Sequence, residues 1–225
     1  MSQNRSTAVM QRRVEAHDSL DDFPTPPWAT RALCDWLAEL SRPPLELMSC
    51  REPAANRGHM VAPLREYFRS VEASDVHDYG VGFDVADYLF PGSLAEVDWT
   101  ITNPPFRLAE QFIERALETS GIGVAMIVRA AFLEGVGRYE RLFSETPPSD
   151  VLQFSERVVM HKGRLAPEGS TATAYAWLVW IKGCEDATRL RWIGPCRKRL
   201  ERASDYPAGD AAMAADGLFT DGDVE

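Results

Sequence analysis

Closely spaced metal-binding or disulfide-forming residues are missing from this 225-residue sequence. Its four cysteines form no CxxC pair, and its four histidines show neither HxxxH nor HxH spacing. Such pairs are the usual sequence signature of structural zinc sites and of disulfide frameworks. The sequence therefore predicts neither a metal ion nor a structural disulfide.

Long apolar runs are also absent. The longest of them, such as residues 173–181, have the length of a strand, whereas a membrane-spanning helix needs about 20 apolar residues. The polar N-terminal segment, up to Asp22, has no apolar stretch followed by small residues of the kind that marks a secretory signal. The sequence therefore predicts no membrane association and a cytoplasmic location.

A net positive charge is missing as well, since the formal charge at pH 7 is −10. Contacts to phosphate supply most of the nonspecific affinity for DNA, so this total argues mildly against nucleic-acid binding. Six acidic residues lie in residues 204–225, and without that segment the formal charge is −4. Residues 189–202, just before it, include six basic side chains. These form either a solvated face or a contact to DNA.

The two ends of the chain differ in pattern from its middle. Residues 1–20 lack periodicity and are interpreted as a flexible arm, and the acidic residues 204–225 as a disordered tail. The first helix is predicted after the proline pair at 26–27, where apolar residues recur at spacings of three and four up to residue 40. One α/β domain is predicted over residues 21–203.

Strand-like apolar runs alternate with helical stretches from residue 45 onward. Strands are predicted at residues 45–51, 71–74, 82–84, 97–102, 123–128, 151–154, 158–160, 174–181 and 189–193. Helices are predicted at residues 60–69, 108–118 and 132–143. This alternation is typical of a mainly parallel sheet with helices on both faces.

The tetrapeptide Asn103-Pro104-Pro105-Phe106 is the strongest functional signal, because it directly follows the predicted strand 97–102. In open parallel sheets, ligands bind beyond the carboxyl ends of the strands. The two prolines fix φ and remove two donors, which leaves backbone carbonyls free to face a substrate. An amine that donates one proton to the Asn103 side-chain oxygen and one to the Pro104 carbonyl becomes a better nucleophile, while Phe106 stacks on its ring. The alternative interpretation is a rigid turn with a core phenylalanine.

Further segments accompany this motif in a particular order. An Asp-Phe-Pro-Thr-Pro-Pro segment at residues 22–27 precedes a Glu-Pro strand end with a glycine-containing loop at residues 52–60, and acidic residues follow at Asp75 and Asp84. Together with Asn-Pro-Pro-Phe, this order resembles the small DNA N6-adenine methyltransferases of bacteriophages and prophages, over residues 22–181. The resemblance implies a Rossmann-like class I methyltransferase fold, an α/β fold with a mostly parallel central sheet and helices on both faces.

The resemblance also implies an activity. The expected cofactor is S-adenosylmethionine, and the expected reaction is transfer of its methyl group to the exocyclic N6 amine of adenine in DNA. The catalytic residues would be Asn103, Pro104, Pro105 and Phe106. A base inside a duplex cannot reach such a pocket, so the adenine has to be flipped out of the helix.

Nine residues are expected to bind the cofactor by the same resemblance: Thr25, Pro26, Glu52, Pro53, Ala54, Asn56, Gly58, Asp75 and Asp84. The loop at 52–58 would receive the methionyl carboxylate on its backbone donors and on the following helix N-terminus, and residues 25–26 would close over the same end. Asp75 is expected to accept hydrogen bonds from the ribose hydroxyls, with Glu72 as the alternative. Asp84 is expected to accept from the adenine amine of the cofactor.

One residue departs from the family pattern, since the family usually has glycine where Asn56 stands. Asparagine tolerates the left-handed backbone region best among non-glycine residues, so we expect the loop to form at a strain cost of about 1 kcal/mol. Two other functions stay open. The chain is either an amino-methyltransferase for RNA or protein glutamine, or a catalytically inactive methyltransferase-like binding protein. The oligomeric state is open too, a homodimer included.

Overall fold

A computed structural model of the protein describes residues 21–165, 167–169, 171–184 and 186–206. The predicted arm at residues 1–20 lies outside the described residues, as does residue 207 onward in the predicted tail. Asp205, two residues past the predicted domain boundary at 203, forms an ion pair with the buried Arg31 at 2.8 Å. Within the described ranges, no helix is long and apolar enough to cross a membrane.

Eight strands and five helices are defined in the described part of the chain. The strands are β1 (Ser49–Glu52), β2 (Ser70–Asp75), β3 (Asp84–Val85), β4 (Val97–Thr102), β5 (Ser120–Arg129), β6 (Asp150–Phe154), β7 (Tyr175–Ile181) and β8 (Arg189–Ile193). The helices are α1 (Pro27–Leu40), α2 (Val61–Leu64), α3 (Ala109–Thr119), α4 (Val136–Arg138) and α5 (Arg197–Leu200). Short helical turns cover Leu45–Leu47, Ala130–Leu133, Tyr139–Phe143 and Ala203–Asp205.

The eight strands form one sheet in the order β3-β2-β1-β4-β5-β7-β6-β8. The first five strands in this order run parallel to one another, β7 is antiparallel to both β5 and β6, and β8 is parallel to β6. The order reverses between β1 and β4, and ligands of such sheets bind in the crevice at the carboxyl ends of the strands beside that reversal. The prediction of a mainly parallel α/β sheet is confirmed.

Apolar side chains cover both faces of the sheet, as expected for parallel strands buried between helices. One core cluster contains Trp28, Leu33 and Leu37 of α1 with Trp99, Ile101 and Trp177 of the sheet. The other contains Phe112, Ile113 and Ala116 of α3 with Val124, Met126 and Leu178. The neighbouring residues Trp177 and Leu178 of β7 therefore point to opposite faces of the sheet, as expected because successive side chains in a strand alternate.

Three strand predictions are corrected by the structure. The strand predicted at 45–51 starts only at residue 49, because the Met48 N–H closes a 3-10 turn before it. The strand predicted at 82–84 is shifted to β3, because Gly82 has a φ of +79°, which is not an extended conformation. Residues 158–160 form no strand, because the segment packs against the sheet instead of extending it: Val158 and Met160 belong to the first core cluster.

Two helix predictions are corrected as well. The helix predicted at 60–69 is reduced to α2 followed by turns, because the Glu66 N–H donates only three residues back, to the Pro63 carbonyl at 3.0 Å. The helix predicted at 132–143 is interrupted at Gly135, whose φ is +118°. Segments around this glycine form a 3-10 turn, the short α4 and one wider turn instead of a continuous helix.

Candidate active site

A cavity of about 260 Å³ lies at the carboxyl ends of β1, β2 and β4, beside the point where the strand order reverses. Its volume is close to the lower limit of small-molecule sites, which is roughly 300 Å³. The walls come from the segment before α1, the loop after β1, the segments after β2 and β3, and the motif after β4. Chain segments far apart in sequence thus meet at one edge of the sheet.

Seven of the thirteen predicted site residues line this cavity: Thr25, Pro53, Ala54, Asn56, Asp75, Asn103 and Pro105. The other six, which are not among its lining residues, are Pro26, Glu52, Gly58, Asp84, Pro104 and Phe106. Sequence reasoning missed several lining residues, namely Asp21, His59, Tyr79, Asp87, Tyr88 and Leu89. The segment 86–89 follows the third strand, where an acidic residue was expected, and its Asp87 is a lining acidic residue three positions after Asp84.

The loop after β1 contains two residues in the left-handed backbone region. Asn56 has a φ of +50° and Gly58 a φ of +88°. A side chain at Gly58 would bring its Cβ within 2.9 Å of the Phe83 ring. The expectation that asparagine accommodates the left-handed region in this loop is therefore confirmed.

The Asn56 side chain also makes contacts that glycine cannot make. Its Nδ2 donates to Oδ1 of Asp22 at 2.7 Å, and its Oδ1 accepts from the backbone N–H of Arg57 at 2.6 Å. The Arg57 guanidinium forms an ion pair with Asp22 at 2.9 Å. The loop after β1 is thus connected to the segment that precedes α1.

Asp75 lies at the end of β2 with both carboxylate oxygens oriented by backbone donors. Oδ2 accepts from the Asn56 N–H at 2.9 Å, and Oδ1 accepts from the His77 N–H at 3.0 Å. Each oxygen keeps a second lone pair, so the carboxylate can also accept hydrogen bonds from a ligand. The alternative, Glu72, does not line the cavity and forms an ion pair with Arg51 at 2.8 Å.

Asp87 lines the cavity, whereas the predicted Asp84 lies in β3 and is exposed. Backbone pairing between β2 and β3 continues through the Ala86 N–H, which donates to the Asp75 carbonyl at 2.8 Å. The chain turns into the cavity only after this bond. Oδ1 of Asp87 accepts from the Leu89 N–H at 2.9 Å, which orients the carboxylate.

Glu52, the last residue of β1, has a fully buried carboxyl group. Its Oε1 accepts hydrogen bonds from the Thr102 hydroxyl and, at 3.0 Å, from the Ala54 N–H. Its Oε2 has no hydrogen-bond partner in the described part of the chain. Burial raises the pKa of Glu52 to about 8. The side chain is therefore mainly neutral at pH 7.

This raised pKa predicts a pH-dependent stability. The folded pKa of about 8 lies above the ordinary value of 4.5, so the contribution of Glu52 to stability is fully present below pH 4.5 and is lost as the pH rises through 8. Glu52→Gln is neutral at every pH and should remove this loss. We expect the Tm of Glu52→Gln to rise relative to the parental protein between pH 6 and pH 9 in thermal unfolding followed by circular dichroism. A Tm difference that is the same at both pH values would contradict the expectation.

The Asn103 amide lines the cavity in a defined orientation. Its Nδ2 donates to the Phe23 carbonyl at 2.9 Å and approaches the Met160 sulfur at 3.8 Å. The reversed amide would place Oδ1 against a carbonyl oxygen, so this contact fixes which atom is the donor. Oδ1 is buried and has no hydrogen-bond partner among the described residues. An acceptor is thus available for a ligand that carries N–H donors.

Phe106 lies at the edge of this site in contact with an arginine that sequence reasoning did not identify. The guanidinium carbon of Arg129 is 4.0 Å from the centre of the Phe106 ring, which is within cation–π distance. The Phe106 and Phe23 rings have centroids 5.1 Å apart. Arg129 ends β5, the strand beside β4, so the sheet order brings it next to the motif. The contact therefore follows from the order of the strands in the sheet and not from the local sequence.

The basic segment before residue 203 is largely neutralised by ion pairs. Arg189, Arg191, Arg197, Arg199 and Arg202 each lie 2.7–3.0 Å from a carboxylate. Their partners are Asp150, Glu201, Asp35 and Glu66. For Arg129, in contrast, no carboxylate lies within 4.0 Å in the ranges that the structure covers. Of the two interpretations of the basic segment, the geometry therefore favours the one without DNA contact.

Comparison with solved structures identifies the class of fold. The chain is similar to the type I restriction-modification methyltransferase subunit of Streptococcus thermophilus, with a TM-score of 0.59 and 10% identity over 92% of this chain and 55% of that one. A Listeria monocytogenes protein assigned as a class I S-adenosylmethionine-dependent methyltransferase gives a TM-score of 0.56, with 12% identity over 87% and 71%. A Pyrococcus horikoshii protein assigned as an RNA methyltransferase gives 0.53, with 18% identity over 71% and 87%.

These similarities, together with the strand order, show that the chain has the fold of class I methyltransferases. The chain spans only about half the length of the S. thermophilus subunit. No family model and no curated protein sequence matches the chain.

Proposed function

We propose that the protein is an S-adenosylmethionine-dependent methyltransferase that methylates the exocyclic N6 amine of adenine in DNA. The observation that carries this proposal is the Asn103 amide, whose Oδ1 is buried without a partner among the described residues while its Nδ2 is held by Phe23. A buried acceptor without a donor is costly, so a ligand that supplies an N–H group is favoured there. An exocyclic amine has such a group.

The cavity has groups that suit S-adenosylmethionine, which supplies an electrophilic methyl group when bound. The carboxylate of Asp75, oriented by two backbone donors, would accept from the ribose hydroxyls. Asp87, rather than the predicted Asp84, would accept from the adenine amine, because it is the one that lines the cavity. Glu52 does not line the cavity, and its mainly neutral carboxyl group would instead support the loop after β1 through the Ala54 N–H, which donates to Oε1 at 3.0 Å.

The predicted residues of the loop after β1 complete the cofactor site in this proposal. Pro53, Ala54 and Asn56 line the cavity, and Gly58 gives the loop its turn without a side chain. Thr25 also lines the cavity, and its hydroxyl oxygen is buried without a hydrogen-bond partner among the described residues. Pro26 fixes the chain direction just before α1.

Asn103 and Pro104 would raise the reactivity of the target amine. Oδ1 of Asn103 would accept a hydrogen bond from one amine N–H and the Pro104 carbonyl would accept one from the other, which shifts electron density toward the amine nitrogen. Stabilisation of this kind, by groups already oriented before reaction, is usually the largest single contribution to catalysis. Pro105 restricts the backbone that holds both acceptors. The adenine ring would stack on Phe106 in place of Arg129.

The unpaired charge of Arg129 leads to a prediction about DNA binding. A guanidinium without a carboxylate partner beside the motif is suited to contact a phosphate of the flipped nucleotide. Arg129→Met should therefore reduce the slope of log affinity against log salt concentration by about 0.9, the effect of one phosphate contact. The matched control is Arg199→Met, which changes the net charge equally but removes an arginine that is paired with Asp35.

Fluorescence anisotropy with a labelled DNA duplex at several salt concentrations measures this slope. Equal slopes for Arg129→Met and Arg199→Met would show that only total charge matters, and would contradict the assignment.

Substrate class and cofactor binding are tested by two separate experiments. Calorimetric titration with S-adenosylmethionine should show binding, whereas a catalytically inactive relative that lacks the cofactor would show none. Tritiated methyl transfer to separate DNA, RNA and protein pools should label DNA. Label in RNA or in protein glutamine would instead support one of the two other amino-methyltransferase functions.

A further inference from the structure

Three consecutive residues, Asp21, Asp22 and Phe23, run across the cavity edge and are here called the strap. Two of them contact the catalytic motif. Oδ2 of Asp21 accepts from the backbone N–H of Phe106 at 2.9 Å, and the Phe23 carbonyl accepts from Nδ2 of Asn103 at 2.9 Å. The strap therefore orients the amide that carries the proposed function.

The middle residue of the strap, Asp22, contacts the loop after β1. Oδ1 of Asp22 accepts from Nδ2 of Asn56 at 2.7 Å, and its Oδ2 pairs with Arg57 at 2.9 Å. Its carbonyl accepts from the Gly163 N–H at 2.7 Å. The Asp22 side chain is only 12% exposed, so these contacts form largely away from water. The loop after β1 and the motif after β4 are thus joined through three adjacent residues.

We propose that Asp22 and Asn56 are positioning residues that couple the cofactor loop to the catalytic motif. The inference rests on the proposed function, because it assigns that loop to the cofactor and that motif to the target amine. Asp22 holds the strap to the loop, and Asp21 and Phe23 on either side of it hold the motif. Release of Asp22 frees the Phe23 carbonyl to move, and the Asn103 amide loses the contact that sets its orientation.

This coupling explains why position 56 is occupied by asparagine and not by glycine. The backbone at Asn56 has a φ of +50°, which glycine, asparagine and aspartate tolerate best. Glycine would satisfy the backbone but has no donor for Asp22. Aspartate would satisfy it too, but would place a second carboxylate against Asp22. Asparagine alone among these three supplies a side-chain N–H.

An exchange of amide and carboxylate tests the coupling. The variants are Asn56→Gly, Asn56→Asp and the double variant Asn56→Asp/Asp22→Asn. In the double variant the donor and acceptor change places, and Arg57, whose guanidinium already lies 3.2 Å from Oδ1 of Asn56, stays within reach of the moved carboxylate. We expect the single variants to release the strap, with Asn56→Asp the more severe, and the double variant to restore it.

Hydrogen exchange at the Phe106 amide reports the strap directly, because that N–H is bonded to Asp21 and needs no catalysis to be measured. Exchange should accelerate at least tenfold in Asn56→Asp, less in Asn56→Gly, and return to within about threefold of the parental rate in the double variant. Parental exchange in Asn56→Asp, or no recovery in the double variant, would overturn the coupling.

Single-turnover methylation of DNA supplies the kinetic readout. The rate should fall about tenfold in Asn56→Asp and recover in the double variant, whereas the Kd for S-adenosylmethionine should change less than the rate. A reduced rate with no recovery in the double variant would count against the coupling. If the proposed function is wrong, no variant methylates DNA, yet the pattern of hydrogen exchange persists, so the two failures are distinguishable.

Discussion

Asn103→Ala should lower the single-turnover rate of DNA methylation at least 100-fold, with each factor of ten corresponding to about 1.4 kcal/mol of barrier. A neutral aromatic amine is a poor nucleophile unless acceptors engage its protons. Oδ1 of Asn103 is the buried acceptor that has no other partner within the described residues. Cofactor affinity should change little, because Asp75 and the loop after β1 stay in place.

Phe106→Ala is the comparison variant for this result. It removes a stacking surface worth about 1 to 3 kcal/mol per base and leaves the acceptor intact. We therefore expect weaker DNA binding with a smaller loss of rate at saturating DNA, measured by rapid quench under single-turnover conditions. If Asn103→Ala methylated DNA at the parental rate, the motif would not be catalytic.

Asp75→Ala should weaken S-adenosylmethionine binding by about 1.5 to 3 kcal/mol, since a charged acceptor for two hydroxyls is lost. The substitution also removes the acceptor that holds the Asn56 N–H at 2.9 Å, which adds to the loss by loosening the loop. Glu72→Ala is the matched control, because Glu72 lies in the same strand but does not line the cavity.

Isothermal titration calorimetry separates the two carboxylates. We expect a Kd increase of roughly 10-fold to 150-fold for Asp75→Ala, from the same free-energy range, and no more than a twofold change for Glu72→Ala. If the Kd for S-adenosylmethionine were unchanged in Asp75→Ala and increased strongly in Glu72→Ala, Glu72 and not Asp75 would be the residue that binds the ribose.

Local sequence patterns predicted much of the fold. The bounds of β4 and β8 match the predicted strands at 97–102 and 189–193, because each has a continuous strand-like run between clear breaks. The motif at the end of β4 lies beside a cavity, as the rule for parallel sheets required. The left-handed backbone conformation of Asn56 was expected, because asparagine tolerates positive φ better than other non-glycine residues.

Contacts between distant segments were not predictable in the same way. The pairing of Asp22 with Asn56 joins residues 34 positions apart, and the stacking of Arg129 on Phe106 depends on the order of strands. Neither leaves a periodic signal in the sequence. That Asp87 and not Asp84 lines the cavity has a similar cause, since the backbone pairing that extends β3 is set by β2 and not by the local residues.

The identity of the methylated product tests the proposed activity most directly. DNA lacking adenine methylation is incubated with the protein and S-adenosylmethionine, digested to nucleosides and analysed by mass spectrometry, with Asn103→Ala as the control. We expect N6-methyldeoxyadenosine with the parental protein and at least 100-fold less with the variant at equal times. Methylated cytosine as the product, or N6-methyldeoxyadenosine in equal amounts from both proteins, would contradict it.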